Sequence, residues 1–375
     1  MLHTAEQERA LDEINRWLKA RDRQVFRLFG YAGTGKTTLA RHIAEAADGK
    51  VLFAAFTGKA AQVLRSRGAH GATTIHSLIY RPRGEETVED EETGETSVSP
   101  TFSLNRRSPV SEASLIIVDE CSMVDEDLGR DLLSFGTPVL VLGDPGQLPP
   151  VSGGGFFTEH EPDFLLEEVH RQARDNPIVD LAQRVREGRE IMIGDYGETA
   201  QVISKGDVTA DLVLGADQVL VGTNRTRRRY NQRLRELKGF DGFYPASGDK
   251  LVCLRNDASK GLLNGSLWQV TSAPRSVKPW LSLLIRSEDE GIERVSAKVK
   301  VLKAVFEDPD SPIPWQQKRR YDDFDFGYAL TVHKSQGSQW DDVVLFDESY
   351  AFREHRQRWL YTAITRAAEK LTIVK

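Results

Sequence analysis

Short apolar runs alternate with amphipathic helical patterns along the first two-fifths of the chain. Residues 6–21 carry apolar side chains at helical spacing and predict an amphipathic helix. Further strands are predicted at 25–29, 51–56, 115–118 and 139–142, and further helices at 37–47 and 58–64. Alternating strands and helices imply a parallel sheet covered on both faces, with the chemistry in the loops at the strand ends.

The alternation resumes beyond residue 170 and is then interrupted by a different pattern. A helix is predicted at 178–187, a strand at 219–221 and a basic helix at 226–238. From 241 to about 326, short β-like runs at 250–255, 266–271, 280–285 and 297–302 are separated by glycine, proline and asparagine. This pattern favours a small β-barrel insertion. The α/β pattern returns at Gly327 and continues to Lys375.

Residues 81–109 are a second insertion, polar, acidic and rich in threonine, serine and proline. Residues 86–89 and 96–102 could pair as a hairpin around Thr93-Gly94, although Pro100 weakens the second strand. A mobile acidic loop fits the same composition equally well. Both alternatives stay open at this point.

Length and composition favour a cytoplasmic protein of two to three domains. The chain has 375 residues, more than one ordinary compact core requires. No apolar run approaches the roughly 18 to 20 residues of a membrane span, and the polar N-terminus is typical of a helix start rather than a secretory signal. Cys121 and Cys253 form no metal or redox motif. We therefore expect no membrane partner.

The net charge of −6 does not exclude a nucleic-acid partner. Seven carboxylates lie between Glu85 and Glu95 with no basic residue among them, and removing those seven negative charges leaves +1 for the rest of the chain. Phosphate binding depends on local charge, so a nearly neutral protein can carry a basic groove.

Residues 30–37 read Gly-Tyr-Ala-Gly-Thr-Gly-Lys-Thr, directly after a predicted strand and at the start of a predicted helix. Glycines let backbone N–H groups turn around a phosphate, and the helix N-terminus adds a favourable field. Lys36 is predicted to reach the β- and γ-phosphates of ATP, and Thr37 to hold Mg²⁺ through its hydroxyl. The ATP-binding residues predicted in this P-loop are Gly30, Gly33, Thr34, Gly35, Lys36, Thr37 and Thr38.

Two polar strand ends follow the P-loop along the chain. Residues 115–120 read Leu-Ile-Ile-Val-Asp-Glu, an apolar strand that ends in two carboxylates. Asp119 is predicted to bind Mg²⁺ through water and Glu120 to orient or deprotonate the attacking water, which needs a carboxylate beside the metal. Gln147 follows the next strand and is predicted to report whether ATP or ADP is bound, with an ordinary Pro/Gly-rich loop as the alternative.

The order of these and later motifs resembles that of the superfamily 1 helicases, and most closely their RecD/Dda-like branch, over nearly the whole chain. The further matching segments are Thr-Ala-Glu-Gln at 4–7, Phe-Thr-Gly-Lys-Ala-Ala at 56–61, Thr-Ile-His-Ser at 74–77, Glu-Val-His-Arg-Gln at 168–172, Thr-Val-His-Lys-Ser-Gln-Gly-Ser at 331–338 and Tyr-Thr-Ala-Ile-Thr-Arg-Ala at 361–367. The resemblance implies an α/β fold with two RecA-like P-loop domains, an acidic hairpin insertion and an SH3-like β-barrel insertion. The implied bounds are 1–78 and 111–170 for domain 1, 79–110 for the hairpin or pin, 171–240 and 327–375 for domain 2, and 241–326 for the barrel.

The same resemblance implies which other residues meet ATP. Gln7 would contact the adenine, Gln336 and Gly337 would bind ATP, and Arg171 and Arg366 would reach the γ-phosphate from domain 2. Phosphoryl transfer spreads negative charge over the γ-phosphate oxygens, and arginines placed there are worth roughly 10³ to 10⁵ in rate. Arginines supplied by the second domain act only when the cleft is closed, so hydrolysis would be coupled to domain motion.

Single-stranded DNA is expected to lie across both domains. Hydroxyls, imidazoles and an ammonium suit phosphate contacts without a base code. The candidates are Thr57, Lys59, His76, Ser77, Thr331, His333 and Ser335, together with Asn224 and Arg225 at the start of the basic helix and Phe102 as a wedge at a duplex fork. A solvated basic face remains the alternative for that helix.

The function predicted is an ATP- and Mg²⁺-dependent DNA helicase that translocates 5′→3′, with single-stranded DNA, duplex forks and possible replication or recombination proteins as partners. The polarity depends on the resemblance alone, and RNA stays open as the track because phosphate contacts need no particular 2′-position. The alternative is an ATP-gated clamp or translocase that does not unwind. A P-loop kinase lacks support, since the second half repeats the α/β unit instead of supplying an acceptor pocket and lid.

Overall fold

The structure is a computed structural model that describes residues 3–89, 96–149, 155–169, 175–257, 259–274, 276–288, 296–308 and 313–375. The α-helices in these ranges are Ala5–Ala20, Lys36–Ala46, Gly58–Ser66, Ile75–Ile79, Glu126–Leu133, Pro177–Arg186, Ala210–Gly215, Asn224–Leu237, Ala304–Glu307, Trp315–Lys318 and Arg356–Ile364. Short 3-10 helices lie at Pro109–Glu112, Cys121–Met123, Lys205–Asp207 and Ser349–His355.

The strands are numbered in chain order. Those of the first part of the chain are β1 (Val25–Gly30), β2 (Val51–Ala55), β3 (Thr73–Thr74), β4 (Tyr80–Glu89), β5 (Thr96–Leu104), β6 (Leu115–Asp119), β7 (Val139–Gly143), β8 (Phe164–Leu166), β9 (Gly194–Tyr196) and β10 (Ala200–Ile203). Those that follow are β11 (Gln218–Val221), β12 (Lys250–Cys253), β13 (Leu267–Ser272), β14 (Trp280–Ser287), β15 (Ser296–Leu302), β16 (Phe324–Phe326), β17 (Ala329–Thr331), β18 (Trp340–Phe346) and β19 (Ala367–Val374).

The first sheet has the strand order β3-β2-β6-β7-β1-β8, with parallel neighbours throughout. The central strands β6 and β7 are buried along almost their whole length, as their continuous apolar sequences require for a sheet covered on both faces. Phe26 and Leu140 pack in one core with Trp17 and Leu39 from two covering helices. The predicted parallel α/β sheet is confirmed.

The helix Ala5–Ala20 shows how local sequence determines the start and the buried face of one helix that packs on the sheet. Thr4 and Gln7 form a capping box, in which each side chain accepts a hydrogen bond from the other residue's backbone N–H. The apolar positions Ala10, Ile14 and Trp17 then fall on the buried side of the helix. The helix predicted at 6–21 is thus confirmed within one residue of each end.

The second sheet contains β11, β18, β19, β10 and β9 in that order, with parallel pairs except for the antiparallel pair β10–β9. The helices Pro177–Arg186 and Arg356–Ile364 pack against each other beside it. The helix predicted at 178–187 and the strand predicted at 219–221 are confirmed within one residue of each end.

The described chain divides into two compact units. The first comprises Met1–Ile79, Leu104–Thr223 and Thr331–Lys375 and holds the two sheets above, and the second comprises Tyr80–Ser103 and Asn224–Leu330. Within the second unit, β4 and β5 form a two-stranded sheet, while the predicted turn at Thr93-Gly94 lies outside the described residues.

The second unit also contains an antiparallel sheet with the order β15-β14-β13-β12-β16. Its strands alternate buried and exposed positions, and the buried side packs Trp268 and Phe324 in one apolar core. The helix Asn224–Leu237 is fixed by a buried ion pair between Arg235 and Asp249, with both nitrogen–oxygen distances 2.9 Å. The four strands predicted between 250 and 302 are confirmed within two residues of each end.

Candidate active site

A cavity of about 330 Å³ opens in the first unit where β1, β6 and β7 end. Parallel strands present their carboxyl ends at one edge of the sheet, so the loops that follow them converge there. Residues predicted from four separate motifs line this cavity: Lys36, Thr37, Asp119, Glu120, Gln147 and Arg366.

No helix in the described ranges is long and apolar enough to cross a membrane.

The P-loop after β1 needs glycine for both conformation and space. Gly33 and Gly35 have φ angles of 79° and 80°, in the left-handed region that favours glycine. A Cβ on Gly30 would lie 2.7 Å from Thr34 Oγ1, and one on Gly35 would lie 2.8 Å from Gln7 Nε2. The helix Lys36–Ala46 then begins with no side-chain cap, so its first N–H groups can serve an anion.

Two predicted ATP-binding side chains contact the backbone of this loop. Lys36 Nζ donates to the carbonyl oxygens of Gly30 and Tyr31, at 2.5 and 3.0 Å. Gln7 is buried, and its Nε2 donates to the carbonyl of Thr34 at 3.0 Å. Thr38 lies next to Thr37 in the cavity wall.

The carboxylates at the end of β6 lie beside the first turn of that helix. Thr37 Oγ1 is 3.3 Å from Asp119 Oδ2, and the other Asp119 oxygen accepts from the N–H of Glu120 at 2.9 Å. A hydroxyl and a carboxylate at this distance are hard oxygen donors of the kind that Mg²⁺ takes beside phosphate oxygens and water. The predicted pair Thr37 and Asp119 therefore fits Mg²⁺.

Burial disfavours negative charge on both carboxylates. It raises the pKa of Asp119, against the lowering effect of the Glu120 N–H, Lys36 and Arg67. It also raises the pKa of Glu120, against the lowering effect of the Arg366 guanidinium. Glu120 has a φ of 52°, an uncommon conformation for a residue with a side chain, which indicates that its position is imposed by the surrounding structure.

Arg366 enters the cavity from the loop between the helix Arg356–Ile364 and β19. It is only 5% exposed, and its guanidinium donates to the carbonyls of Thr362 and Ser338 at 3.1 and 3.0 Å. These bonds fix the planar group in the wall of the cavity that contains Glu120.

Gln147 and Gln336 lie on or beside the loop that follows β7. Gln147 Oε1 is buried and has no hydrogen-bond partner among the described residues, although the side chain lines the cavity. Gln336 Nε2 donates to the carbonyl of Leu148 at 3.1 Å. Gly337 has a φ of 75°, and a Cβ there would lie 3.1 Å from Thr57 Oγ1.

Two further residues lie in or against the cavity wall and were not predicted, Arg67 and Tyr361. Arg67 lines the cavity and donates to Gln339 Oε1 at 2.6 Å. Tyr361 donates from its hydroxyl to Asp144 Oδ2 at 2.8 Å. Tyr361 falls inside a matched motif and could have been found there, whereas Arg67 lies outside every motif that the sequence offers.

The remaining predicted residues of the first unit lie away from the cavity lining or outside the described chain. Arg171 lies outside the described residues. Thr57 caps the helix Gly58–Ser66 by accepting from the N–H of Ala60, and Lys59 lies in the first turn of that helix. Ser77 Oγ accepts from Thr74 Oγ1 at 2.7 Å, and burial lowers the pKa of the neighbouring His76.

The candidates around residue 333 are largely buried. Thr331 Oγ1 accepts from the N–H of Lys334. Ser335 is fully buried, and its hydroxyl donates to the carbonyl of Val332 at 2.8 Å. His333 packs its ring against Phe352, and burial lowers its pKa. Their contact with DNA stays a prediction.

In the second unit, the three predicted DNA contacts lie on two elements. Asn224 and Arg225 begin the helix Asn224–Leu237, and Asn224 Oδ1 accepts from Arg227 Nε at 3.3 Å. Phe102 lies on β5 and is 43% exposed.

Comparison with known families gives two matches along the chain. Residues 3–207 match the model of an AAA domain, and residues 326–374 match that of a UvrD-like helicase C-terminal domain. The first match alone spans more than half of the chain.

Curated relatives are similar over most or half of the chain. This chain is 29% identical over 371 residues to the ATP-dependent RecD2 DNA helicase of Deinococcus radiodurans, and the match covers 92% of this chain and 46% of that protein. It is 32% identical over 203 residues to the ATP-dependent DNA helicase dda of Enterobacteria phage T4, covering 50% of this chain and 43% of that protein. The chain thus spans about half the length of these relatives.

Solved structures share the fold. Two Pif1 helicases at forked double-stranded DNA match with a TM-score of 0.59 and 19% identity, covering 100% of this chain and 92% of that one. Bacteroides Pif1 bound to single-stranded DNA matches with a TM-score of 0.54 and 20% identity, again over 100% and 92%. The shared architecture is an α/β fold with two RecA-like domains, as expected.

Proposed function

The chain belongs to the superfamily 1 helicases of the RecD, Dda and Pif1 type, and from this membership we propose that it is an ATP-dependent DNA helicase that moves 5′→3′ on single-stranded DNA. The matched segments cover less than half of each relative whose name states a helicase activity, so the activity of this chain is inferred from its own site as well. That site brings together the P-loop lysine, a hydroxyl and a carboxylate that fit Mg²⁺, a second carboxylate and an arginine.

One observation carries the proposal. Arg366, from the C-terminal part of the chain, shares a cavity with Lys36 of the P-loop and with the carboxylates that end β6. A small-molecule NTPase needs a pocket for its acceptor, whereas an arginine brought to the phosphates by a second RecA-like domain is what a motor requires. The position of Arg366 therefore supports coupling of hydrolysis to movement between the domains.

Each residue then has a role in the hydrolysis of ATP. Glu120 would accept the proton of the water that attacks the γ-phosphorus, and Lys36 and Arg366 would stabilise the charge on the phosphate oxygens. Thr37 and Asp119 would hold Mg²⁺, which when bound neutralises phosphate charge. Gln147, which lines the cavity, would sense the γ-phosphate by donating to it from its side-chain amide nitrogen. Arg171 stays a second predicted arginine for the same charge.

The other predicted residues would serve DNA. Thr57, Lys59, His76, Ser77, Thr331, His333 and Ser335, with Asn224 and Arg225, would follow the phosphates of one strand. We further assign residues 79–110 to a pin that carries Phe102 as a wedge, and residues 241–326 to an SH3-like barrel inserted in domain 2. The domain bounds follow as 1–78 and 111–170, and 171–240 and 327–375. Forks, and replication or recombination proteins, would be the partners.

Forked duplexes test the function directly. A DNA duplex with a 5′ single-stranded tail should be unwound in the presence of ATP and Mg²⁺, and one with a 3′ tail should not. Product from the 3′-tailed duplex alone would reverse the polarity. Strand-stimulated ATP turnover without product from either duplex would indicate an ATP-gated clamp or translocase, and the same assay with RNA tails identifies the preferred track.

A further inference from the structure

The hydroxyl of Tyr361 connects the P-loop with the loop that follows β7. It accepts from the N–H of Ala32 at 2.8 Å and donates to Asp144 Oδ2 at 2.8 Å. Tyr361 is 2% exposed and Asp144 8%, so water does not compete for these bonds. Loss of the hydroxyl would remove a partner from the half-buried N–H of Ala32 and from a buried carboxylate oxygen at the same time.

The ring of Tyr361 also determines what can stand at Gly146. A Cβ on Gly146 would lie 2.9 Å from Tyr361 Cε1, so the backbone lies directly against the ring. The N–H of Gly146 donates to the second Asp144 oxygen at 2.9 Å. Both oxygens of this carboxylate are therefore engaged, one by the loop and one by Tyr361.

The far end of the same loop is bound by the same part of the chain. Thr362 Oγ1 accepts from the N–H of Leu148 at 2.9 Å, and Gln336 Nε2 donates to the Leu148 carbonyl at 3.1 Å. Between these two ends stands Gln147, whose Oε1 is buried without a partner among the described residues and whose side chain lines the cavity. The C-terminal segment thus holds the loop on both sides of the glutamine.

Arg366 is attached to the helix that carries Tyr361. Its Nε donates to the carbonyl of Thr362 at 3.1 Å, and the helix Arg356–Ile364 ends just before it. A shift of this helix against the P-loop would therefore move Arg366 and Gln147 together.

We propose that Tyr361 is a positioning residue whose hydroxyl fixes the helix Arg356–Ile364 against the P-loop. In this position of the helix, Gln147 and Arg366 contact the same phosphate. The inference rests on the proposed ATP hydrolysis and adds to it one residue outside the set that contacts the nucleotide. Tyr361 acts only through the two side chains that it aligns.

Tyr361→Phe keeps the ring and removes the two hydrogen bonds. Steady-state ATP turnover separates an effect of this substitution on kcat from an effect on nucleotide binding. We expect kcat to fall about tenfold, as for loss of a buried hydrogen-bonded group, while KM for ATP and the affinity for a fluorescent ATP analogue change less than about twofold. Tyr350→Phe alters an exposed tyrosine of the same region and should match the parent protein. Unchanged kcat in Tyr361→Phe overturns the proposal.

A double-mutant cycle distinguishes positioning from a separate structural role. Arg366→Lys keeps a charge but loses the planar fork, and adding Tyr361→Phe to it should lower kcat by a smaller factor than in the parent protein, because one of the two side chains that Tyr361 aligns is already altered. Losses that multiply contradict the proposal. Gly146→Ala, which presses a methyl group on the ring, should reproduce the fall in kcat, while Gly215→Ala, with open space around its Cβ position, should not.

The cycle is measured with and without a single-stranded oligodeoxynucleotide. If the oligonucleotide does not stimulate the parent protein, the proposed motor function fails, and the role of Tyr361 is still decided by the unstimulated turnover. If stimulation is present but Tyr361→Phe leaves kcat unchanged, the positioning role fails alone. Should Tyr361→Phe lower the midpoint of thermal unfolding, Gly146→Ala and its glycine control supply the same comparison with the hydroxyl intact.

Discussion

Arg186 lies over the ring of Tyr31, with its guanidinium carbon 3.7 Å from the ring centroid. Tyr31 is the second residue of the P-loop, and Arg186 ends the helix Pro177–Arg186 beside the second sheet. A guanidinium at this distance from an aromatic face is attracted by the ring quadrupole. The contact therefore joins the phosphate loop to the second sheet at a point separate from Tyr361.

This contact predicts a measurable coupling between the two side chains. In a cycle of Tyr31→Leu, Arg186→Ala and the double variant, the coupling free energy of unfolding should be about 0.5 to 2 kcal/mol in favour of the native pair. Chemical denaturation measures it. Arg189→Ala, which removes a more exposed arginine paired with Glu187, is the matched control and should show no coupling to Tyr31. Additive losses at Tyr31 and Arg186 would refute the contact.

Substitutions of Lys36 and of Glu120 should impair different steps: the first should weaken ATP binding, and the second should slow hydrolysis alone. Lys36→Ala removes the ammonium from the phosphate loop, so nucleotide binding should weaken and turnover should vanish. Glu120→Gln keeps the volume and the phosphate site but cannot accept a proton, so ATP should remain bound while kcat falls by about 10²-fold or more. Filter binding of labelled ATP beside steady-state turnover separates the two. Near-normal turnover by Glu120→Gln would remove it from the role of base.

The pKa of Glu120 determines how ATP turnover should depend on pH. Burial raises this pKa above its ordinary value, while Arg366 lowers it. A base must be ionised, so turnover should be lost as pH falls through the raised pKa, at a higher pH than for an exposed glutamate. Removing the cation in Arg366→Ala should raise the pKa further and move the acidic limb of kcat to higher pH. A limb that stays in place, or moves to lower pH, contradicts the assignment.

The same pKa predicts that the native Glu120 costs stability. Because the pKa is raised in the folded state, the folded protein binds protons more tightly than the unfolded chain, and its stability decreases as pH rises from the unfolded value through the folded one. Above that window the buried charge remains a penalty. Glu120→Gln should therefore raise the midpoint of thermal unfolding at pH 7.5, and Glu126→Gln, at an exposed position, serves as the control. A lower midpoint for Glu120→Gln would show that the charge is stabilised.

Local sequence was sufficient for the parts of the site that lie within one motif. The P-loop glycines, Thr37 and the Asp119–Glu120 strand end each follow from a short pattern, because strand, turn and helix start are set by neighbouring residues. The contacts of Arg67 with Gln339 and of Arg186 with Tyr31 join segments far apart in the chain. No periodicity encodes such pairs, since they depend on strand order and on how helices pack.

The predicted DNA-binding residues also show what a sequence motif cannot supply. Ser335 was selected because a hydroxyl suits a phosphate, yet its hydroxyl donates to Val332 in a fully buried position. Burial is a tertiary property that a single motif does not reveal. Thr57 likewise caps a helix in the structure, where its hydroxyl accepts from the N–H of Ala60.

Phe102 allows strand separation to be tested apart from translocation. It is the exposed aromatic residue on β5, in the acidic segment that we assign to the pin, and a base at a fork can stack on an aromatic ring for about 1 to 3 kcal/mol. Phe102→Ala should therefore lower the rate of unwinding of a 5′-tailed fork several-fold and leave DNA-stimulated ATP turnover unchanged, since none of the described residues of this segment lines the nucleotide cavity. Phe243→Ala, at an exposed phenylalanine of the same unit, is the matched control and should unwind normally. Equal unwinding by Phe102→Ala and its control would exclude the wedge, whereas a parallel fall in ATP turnover would show that the segment serves translocation itself.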